Sequence, residues 1–384
     1  MTSASVHLYL SPLVPGVAPA PAPRVVAEAF ASLTVSQTDA GVSSGWQLVL
    51  RAQRTASPAD DYALVSHPLL QPFSRVVAAV SFGSTTKVLV DGAITHIELS
   101  PAQAGSGALL TITGDSVDAV MDFQDFTIPW PALPDAAIAA MVLSKYIPFG
   151  VIPKVVPPVP SADWPDPLEK VVVQNETDTA FLNRLASPYG YIFCVTPGPV
   201  AGMNTAYWGP PPRYLPPQKA LGIDLGVGTN VNSMSFSYDA KGPTLVFGSV
   251  QSEFYEGEFP IATTMPTRLP PLASRPAITA LLPYVGAQLY ANPAAEMARA
   301  LYEANATTHR STDRVVTARG ALDTARYGHI LDVPGVVGVR GAGASYDGNY
   351  YVNRVTHHLA PGTYTQDFEL SREGTGTTTT RVVA

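Results

Sequence analysis

Short stretches in which apolar and polar residues alternate recur along most of this chain, and they constrain its fold more than any other feature. Examples are residues 31–36, 45–51 and 93–99. A period of two places successive side chains on opposite faces of a β-strand. Five or six such stretches at short spacing between residues 25 and 115 predict a small antiparallel barrel or sandwich. The Asp91-Gly92 pair between two of them predicts a hairpin turn.

Three segments have apolar residues at helical spacing instead. Residues 136–147 form the first of these segments, and residues 175–186 form the second, with Asn175 or Thr177 as the predicted N-cap. The third is predicted to start at Asn292 as N-cap, with Pro293 in its first turn, and to end near residue 305. Proline-rich connectors precede the second and third segments, so we interpret the helices as insertions between β-rich parts.

The sequence therefore predicts a mainly β protein with α insertions (α+β): two similar β-modules, each a small antiparallel barrel or sandwich, plus helical insert domains, with the second module interrupted by an insertion. No sequence repeat is visible, but the second set of strands has about the size of the first. The predicted boundaries are an N-terminal Pro/Ala-rich arm (1–24), a first barrel (25–115), an α/β insert (116–220), a second barrel (221–259 and 311–372), a helical insert (260–310) and a flexible tail (373–384).

Composition narrows the possible functions. Charged residues are only 14% of the 384, and the formal net charge is -7, so the clustered Lys and Arg of a nucleic-acid-binding protein are missing. The single cysteine, Cys194, lies in an apolar run and is predicted to be a buried structural thiol. No apolar run is long enough for a membrane span, and residues 1–10 lack the basic start of a signal peptide. We expect no membrane anchor and assembly in the host cytoplasm.

The adjacent His357 and His358 are the first candidate for chemistry. Neighbouring residues of a strand point to opposite faces, so these two rings are poorly placed to share one metal ion. The period of two puts Tyr351 and His357 on one face and Tyr350 and His358 on the other, and residues 360–363 are predicted to turn the chain into a last strand.

Other candidate motifs are weaker. The glycine-rich stretches 222–228 and 335–343 match neither the P-loop nor the dinucleotide-binding pattern. Asp115, Asp118, Asp122 and Asp125 are spaced as on one helix face, which we interpret as a solvated or interface face. We therefore predict no catalytic residue, no cofactor and no metal, and expect a protein that is not an enzyme.

Taken together, five stretches resemble the late control protein D family, the baseplate hub of contractile phage tails and injection systems. They are residues 91–98 (DGAITHIE), 109–115 (LLTITGD), 175–193 (NETDTAFLNRLASPYGYIF), 348–357 (GNYYVNRVTH) and 364–370 (YTQDFEL). The third is the most similar, although a threonine stands where the family usually has serine. The five stretches occur in the family's order across most of the chain.

The resemblance implies a structural hub protein. Family hubs are homotrimers in which two similar barrels per subunit give a pseudo-sixfold ring. The fold that the resemblance implies is therefore two similar antiparallel β-barrel, tube-like domains plus helical insert domains. That ring joins the hexameric tail tube protein to a trimeric central spike protein, contacts baseplate wedge proteins, and lets DNA or cargo pass through its lumen without specific binding. The expected location is the virion tail baseplate or an injection particle. The residues expected on inter-subunit or lumen strands are Thr95, His96, Glu98, Tyr350, Asn353, Arg354 and Thr356.

Two alternatives stay open from the sequence. One is a tail-associated cell-wall or polysaccharide hydrolase, which needs a cleft with two acids or a metal ion, and residues 115–125 are the candidate place for it. The other is a carbohydrate- or receptor-binding β-protein, which would need an exposed aromatic platform. The four tryptophans do not share one segment; they are Trp46, Trp130, Trp164 and Trp208.

Overall fold

A computed structural model describes residues 4–39, 44–53, 61–83, 85–101, 107–159, 171–251, 257–292 and 295–379. Strands dominate these ranges, with helices inserted between groups of strands, so the predicted class of a mainly β protein with α insertions is confirmed. Within the same ranges, no helix combines the length and the apolar character needed to cross a bilayer.

The first group of strands builds one curled sheet, which we call module 1. Leu8 and Leu10 of its edge strand share a core with Leu48 and Leu50 from the opposite end of the strand order, so the sheet bends back over its apolar face. The strands pair antiparallel in the order β3-β4-β7-β6-β5-β1. The elements are β1 (Ser5–Pro12), β2 (Ala20–Pro21), α1 (Arg24–Glu28), β3 (Phe30–Thr38), β4 (Gly45–Ala52), β5 (Ser74–Phe82), β6 (Thr85–Ser100) and β7 (Ala108–Ser116).

Two predictions for this part of the chain were wrong. The Pro/Ala-rich arm was expected to lie outside the first domain, but β1 pairs with β5 over eight residues and places two leucines in the core. The Asp91-Gly92 pair is not a turn, because β6 runs straight through it. The Asp91 carboxylate is buried against Arg75, with Nε at 2.6 Å from Oδ1, and a Cβ on residue 92 would lie 2.1 Å from the Asp115 carbonyl oxygen.

An α/β insert follows. Its elements are a 3-10 turn (Val117–Asp122), β8 (Asp125–Pro131), α2 (Asp135–Ser144), a 3-10 turn (Ile147–Phe149), β9 (Val151–Val155), β10 (Val171–Thr177), α3 (Asp178–Ala186), a 3-10 turn (Ser187–Tyr189), β11 (Ile192–Pro197) and β12 (Asn204–Gly209). The Thr177 hydroxyl accepts a hydrogen bond from the Ala180 amide at 3.3 Å, which confirms Thr177 as the cap of α3. The helix buries Phe181, Leu182 and Leu185 in the core of the insert.

The rest of the chain interleaves a second sheet with a second insertion. The elements are β13 (Gln218–Gly222), a 3-10 turn (Gly226–Gly228), β14 (Ser233–Tyr238), β15 (Thr244–Gln251), β16 (Glu258–Ala262), β17 (Ala273–Pro276), α4 (Ala277–Ala280), β18 (Gly286–Leu289), α5 (Met297–Thr312), β19 (Val316–Asp323), α6 (Thr324–Tyr327), β20 (Gly335–Arg340), β21 (Gly348–Ala360), β22 (Thr363–Arg372) and β23 (Gly374–Thr377).

Three expectations about this half are corrected. Residues 244–248, assigned to the second barrel, belong to a separate sheet β16-β15-β18, because Val246 and Val250 pack against α5. The third helix begins at Met297 after Glu296 rather than at Asn292, and Pro293 lies outside the described residues. The predicted tail starts as a strand: β23 pairs with β17, and residues 380–384 lie outside the described part.

The remaining strands form module 2, which repeats the topology of module 1. Its strand order is β14-β19-β22-β21-β20-β13, and each strand occupies the chain position of its counterpart in β3-β4-β7-β6-β5-β1. The pairing irregularities also correspond: Thr95 interrupts the register of β6 with β7, and Asn353 interrupts that of β21 with β22. One difference is that β13 runs parallel to β20, whereas β1 runs antiparallel to β5.

The two modules are joined through β21. Its first half, up to Val352, pairs with β20, and its second half, from Arg354 to Leu359, pairs with β3 of module 1. The result is one continuous sheet of 13 strands. Among the described strands no pairing closes either module into a barrel, so the strand pairing does not confirm the predicted barrels.

Candidate functional site: an open-edged polar sheet face

The strand register defines an outward face of the continuous sheet that extends over both modules. One row of directly paired residues crosses both modules, from β22 through β21, β3, β4 and β7 to β6. It consists of Thr365, His358, Thr34, Gln47, Thr113 and His96. The residues that alternate with this row are buried in the two module cores, so the row and its neighbours are exposed or half-buried.

We call this surface the polar face and define it by twenty residues. They are Thr34, Ser36, Thr38, Gln47, Val49, Arg51, His96, Glu98, Thr111, Thr113, Ser235, Ser237, Thr317, Arg319, Arg354, Thr356, His358, Thr365, Asp367 and Glu369. Ten are serine or threonine, and three arginines balance three acidic residues. The face is therefore hydrophilic and has no formal net charge when its two histidines are neutral.

Ion pairs on the face neutralise the charges locally. Arg319 Nε lies 3.3 Å from Glu369 Oε2, and Arg314 Nη1 lies 3.6 Å from Glu369 Oε1. His358 Nε2 lies 3.2 Å from Asp367 Oδ2, with both side chains about half exposed. Exposed pairs of this kind contribute little to stability, on the order of 0–1 kcal/mol. Their main consequence is a surface without a strong field of either sign.

The structure separates the seven predicted site residues into two groups. Thr95, His96 and Glu98 are exposed on β6, and Arg354 and Thr356 lie on the outward side of β21. The two strands are four inter-strand steps apart, about 19 Å along the sheet at the usual strand spacing. His96, Glu98, Arg354 and Thr356 therefore belong to the polar face, whereas Thr95 is the exposed residue that interrupts the register of β6 with β7.

The other two predicted residues are corrected because the subunit buries them. Tyr350 packs in the core of module 2, donates a hydrogen bond to the Tyr346 carbonyl oxygen at 2.8 Å, and carries the Arg372 guanidinium over its ring. Asn353 is 5% exposed and its amide donates to Asp39 Oδ2 at 3.4 Å. Neither side chain lies on a surface.

The two adjacent histidines do lie on opposite sides of β21, as predicted. His357 is fully buried, with Nε2 at 3.3 Å from Gln37 Oε1 and Nδ1 at 3.0 Å from the Tyr364 hydroxyl, and burial holds its pKa well below the usual value. His358 lies on the polar face. The predicted assignment of residues to the two faces is wrong only across Asn353. The pairing irregularity at this residue shifts the inward-outward alternation by one position, so Tyr350 and His357 both point inward.

Two strand edges remain open. The sequence pointed to the one on β6 but not to the one on β14. β14 pairs with β19 on one side alone, and residues 96–100 of β6 pair only with β7, because β5 ends its pairing at Ala93. Among the described strands no partner covers either edge. On β21, by contrast, β20, β22 and β3 already occupy both sides, so this strand offers no open edge within the subunit.

The four aspartates considered for chemistry do not lie on one helix face, because Asp115 is in β7, Asp118 and Asp122 are in a 3-10 turn, and Asp125 is in β8. Asp118 is buried, and burial raises its pKa to about 6. Asp122 Oδ1 accepts a hydrogen bond from the Thr177 hydroxyl at 2.8 Å, and Asp125 starts β8. No group of three or more His, Cys, Asp or Glu residues suited to a metal ion occurs among the described residues.

Two clefts of about 410 and 580 Å³ lie between the modules and the α/β insert, and the ion pair of Lys87 with Asp332 borders both. Asp332 is the only carboxylate among the described residues that line them. A glycosidase of the usual kind needs a pair of carboxylates across the scissile bond. These clefts do not offer that pair.

The fold has counterparts among solved structures. A tail protein from Neisseria meningitidis MC58 is similar over 97% of both chains, with a TM-score of 0.64 and 12% identity. The 43 kDa tail protein of prophage MuSo2 from Shewanella oneidensis is similar over 96% of this chain and 98% of that one, with a TM-score of 0.62 and 12% identity. An E. coli component of the type VI secretion system gives a TM-score of 0.51 at 12% identity, over 89% of this chain and 73% of that one.

No family model and no curated protein matches the chain by sequence. At identities this low, the structural similarity shows the fold alone. The chain has the fold of phage tail proteins and of a type VI secretion component, which the sequence-based resemblance to the baseplate hub family anticipated.

Proposed function

We propose that this protein is a structural, non-enzymatic hub of a phage tail baseplate or a contractile injection system. In this role three copies form a ring that joins a hexameric inner tube to a trimeric spike. The observation that carries the proposal is the duplicated module: one chain holds two copies of the same six-strand order in one sheet. Three chains then present six equivalent modules on one side while the subunit count stays at three, which is what a hexamer-to-trimer adaptor requires.

The polar face supports a lumen lining. A channel for DNA or cargo needs a wet surface that neither binds phosphate strongly nor repels it. Nucleic-acid affinity rises steeply with the number of Lys and Arg contacts, and the three arginines of the polar face are balanced by three acids. In the proposed ring the polar face points inward, and Arg354, Thr356, His96 and Glu98 line the lumen.

The two insertions supply the outer surface in this arrangement. We propose that residues 116–220 and 260–310 act as insert domains around the modules, with the tail tube protein on one rim, the central spike protein on the other and baseplate wedge proteins outside. Module 1 is proposed to extend from residue 5, rather than residue 25, to residue 115, because β1 belongs to its sheet. Module 2 comprises residues 218–239 and 316–372.

The oligomeric state of the purified protein tests the proposal. Light scattering coupled to size-exclusion chromatography should give three times the 40.5 kDa subunit mass at micromolar concentration. Negative-stain class averages should show a ring with a central hole and six similar lobes. A monomer at every concentration tested would refute the hub, as would a closed dimer.

A further inference from the structure

The joint between the two modules shows what an occupied edge looks like in this fold. Arg354 faces Thr38, Thr356 faces Ser36, and His358 faces Thr34 in an antiparallel pairing. The residues between them complete the core, since Val35 and Val355 are fully buried and Leu359 is 3% exposed. Module 1 thus offers the edge of β3, and module 2 offers the second half of β21.

The internal repeat assigns the counterparts of that joint. β14 is the counterpart of β3, and β6 is the counterpart of β21. Aligning the irregularity at Thr95 with that at Asn353 makes residues 96–100 equivalent to residues 354–358. The pairing can be followed from β6 through β7 and β4 to β3 in module 1, and from β21 through β22 and β19 to β14 in module 2. This makes residues 235–239 equivalent to residues 34–38. These two counterpart edges are the open ones.

Core residues at the two open edges are incompletely covered. Phe236, the counterpart of the fully buried Val35, is only half-buried against the core of module 2. Ile97, the counterpart of Val355, and Leu99 are half-buried against the core of module 1. Equivalent positions are fully buried where the edge is paired and only half-buried where it is open, so each open edge lacks one strand.

We propose that β14 of one copy pairs antiparallel with residues 96–100 of β6 in a second copy of this chain. This inference rests on the proposed ring and specifies its contact. Transferring the register of the internal joint places His96 opposite Asp239, Ile97 opposite Tyr238, Glu98 opposite Ser237, Leu99 opposite Phe236, and Ser100 opposite Ser235.

Both faces of that pairing are chemically matched. Glu98, Ser100, Ser235 and Ser237 extend the polar face across the contact. On the other side, Leu99 and Phe236 extend the apolar core. His96 meets Asp239 at one end, which adds opposite charge when the histidine is protonated. Because each copy gives a different edge to its neighbour, the contact is head-to-tail and repeats until the ring closes.

Cysteine pairs test the register in the full-length protein. Residues that face each other in an antiparallel pair lie about 4.5–5.5 Å apart between Cα atoms, within reach of a disulfide. The variant E98C/S237C should form covalent dimers and trimers under mild oxidation, seen on non-reducing gels. The equivalent internal pair, S36C/T356C, is the positive control and should form a disulfide within one chain, because those residues face each other in the subunit.

The displaced variant E98C/S233C is the negative control, since Ser233 is four residues from Ser237, about 13 Å along the strand. It should give about tenfold less covalent product than E98C/S237C, because disulfides need close Cα atoms. Equal cross-linking of the two variants overturns the register. A trimeric sample in which E98C/S237C does not cross-link overturns this contact and leaves the hub intact, whereas a monomeric sample overturns both.

Discussion

Substitution of Asp91 by asparagine should strongly destabilise module 1. Asp91 is fully buried in the middle of β6, and Arg75 is 3% exposed. The guanidinium donates to both carboxylate oxygens, at 2.6 and 2.7 Å, and the Asn204 amide donates to Oδ2 at 2.8 Å. Asparagine removes the negative charge and turns an amide donor towards Arg75, which leaves a buried cation without a counter-ion.

Removing one partner of a buried ion pair costs about 3–5 kcal/mol. We expect D91N to lower the free energy of unfolding by that amount in urea titrations followed by tryptophan fluorescence. Trp46 and Trp208 are buried, one in module 1 and one in the insert, so they report on both sides of this contact. All samples must be compared at one protein concentration, because assembly also stabilises the fold.

Two matched variants make the measurement decisive. E28Q removes an exposed i,i+4 partner of Arg24 and should cost less than about 0.5 kcal/mol. The double variant R75M/D91L replaces the ion pair by apolar side chains and should recover most of the loss of D91N, because the pair itself contributes little net stability. A loss below about 1 kcal/mol for D91N would refute the assignment of Asp91 as a buried counter-ion.

Other sites give independent predictions. G92A should unfold at a clearly lower urea concentration than G107A. A Cβ at residue 92 would lie 2.1 Å from the Asp115 carbonyl oxygen, whereas nothing lies within 4 Å of a Cβ at residue 107. Equal urea midpoints of the two variants would contradict the close packing at residue 92. Burial raises the pKa of Asp39 to about 6, so the stability that this group contributes below its usual pKa near 3.8 is lost as the pH rises through 6. The variant D39N should therefore make the free energy of unfolding less dependent on pH between pH 4 and 7. An unchanged slope of that free energy against pH would contradict the assignment. Burial raises the pKa of the Cys194 thiol to about 12, so Ellman's reagent at pH 8 should react with unfolded but not native protein; fast native labelling would contradict that burial.

Local structure that depends on a few neighbouring residues was predictable from the sequence. The cap and apolar face of α3 follow from Thr177, Phe181 and Leu185, and the turn at 360–363 follows from Pro361 and Gly362. Strands in both modules follow from their period of two. In each case the residues that decide the structure lie within one element, so no distant partner overrides them.

Features set by distant partners were not predictable. Asp91-Gly92 continues a strand because Arg75 binds the carboxylate and Asp115 approaches the glycine. The phase shift in β21 depends on the extra residue Asn353, which a strict period of two cannot detect. The duplicated strand order and the open edge of β14 appear only once the pairing partners of every strand are known, since the two modules share no visible sequence repeat.

A cryo-EM reconstruction of the assembled protein tests the central claim most directly. The account predicts a ring of three chains in which the main sheet continues from β14 of one subunit into β6 of the next, with Ser237 opposite Glu98 and the polar face lining the hole. A ring whose subunits meet through the insert domains, leaving β14 and residues 96–100 unpaired, would contradict it.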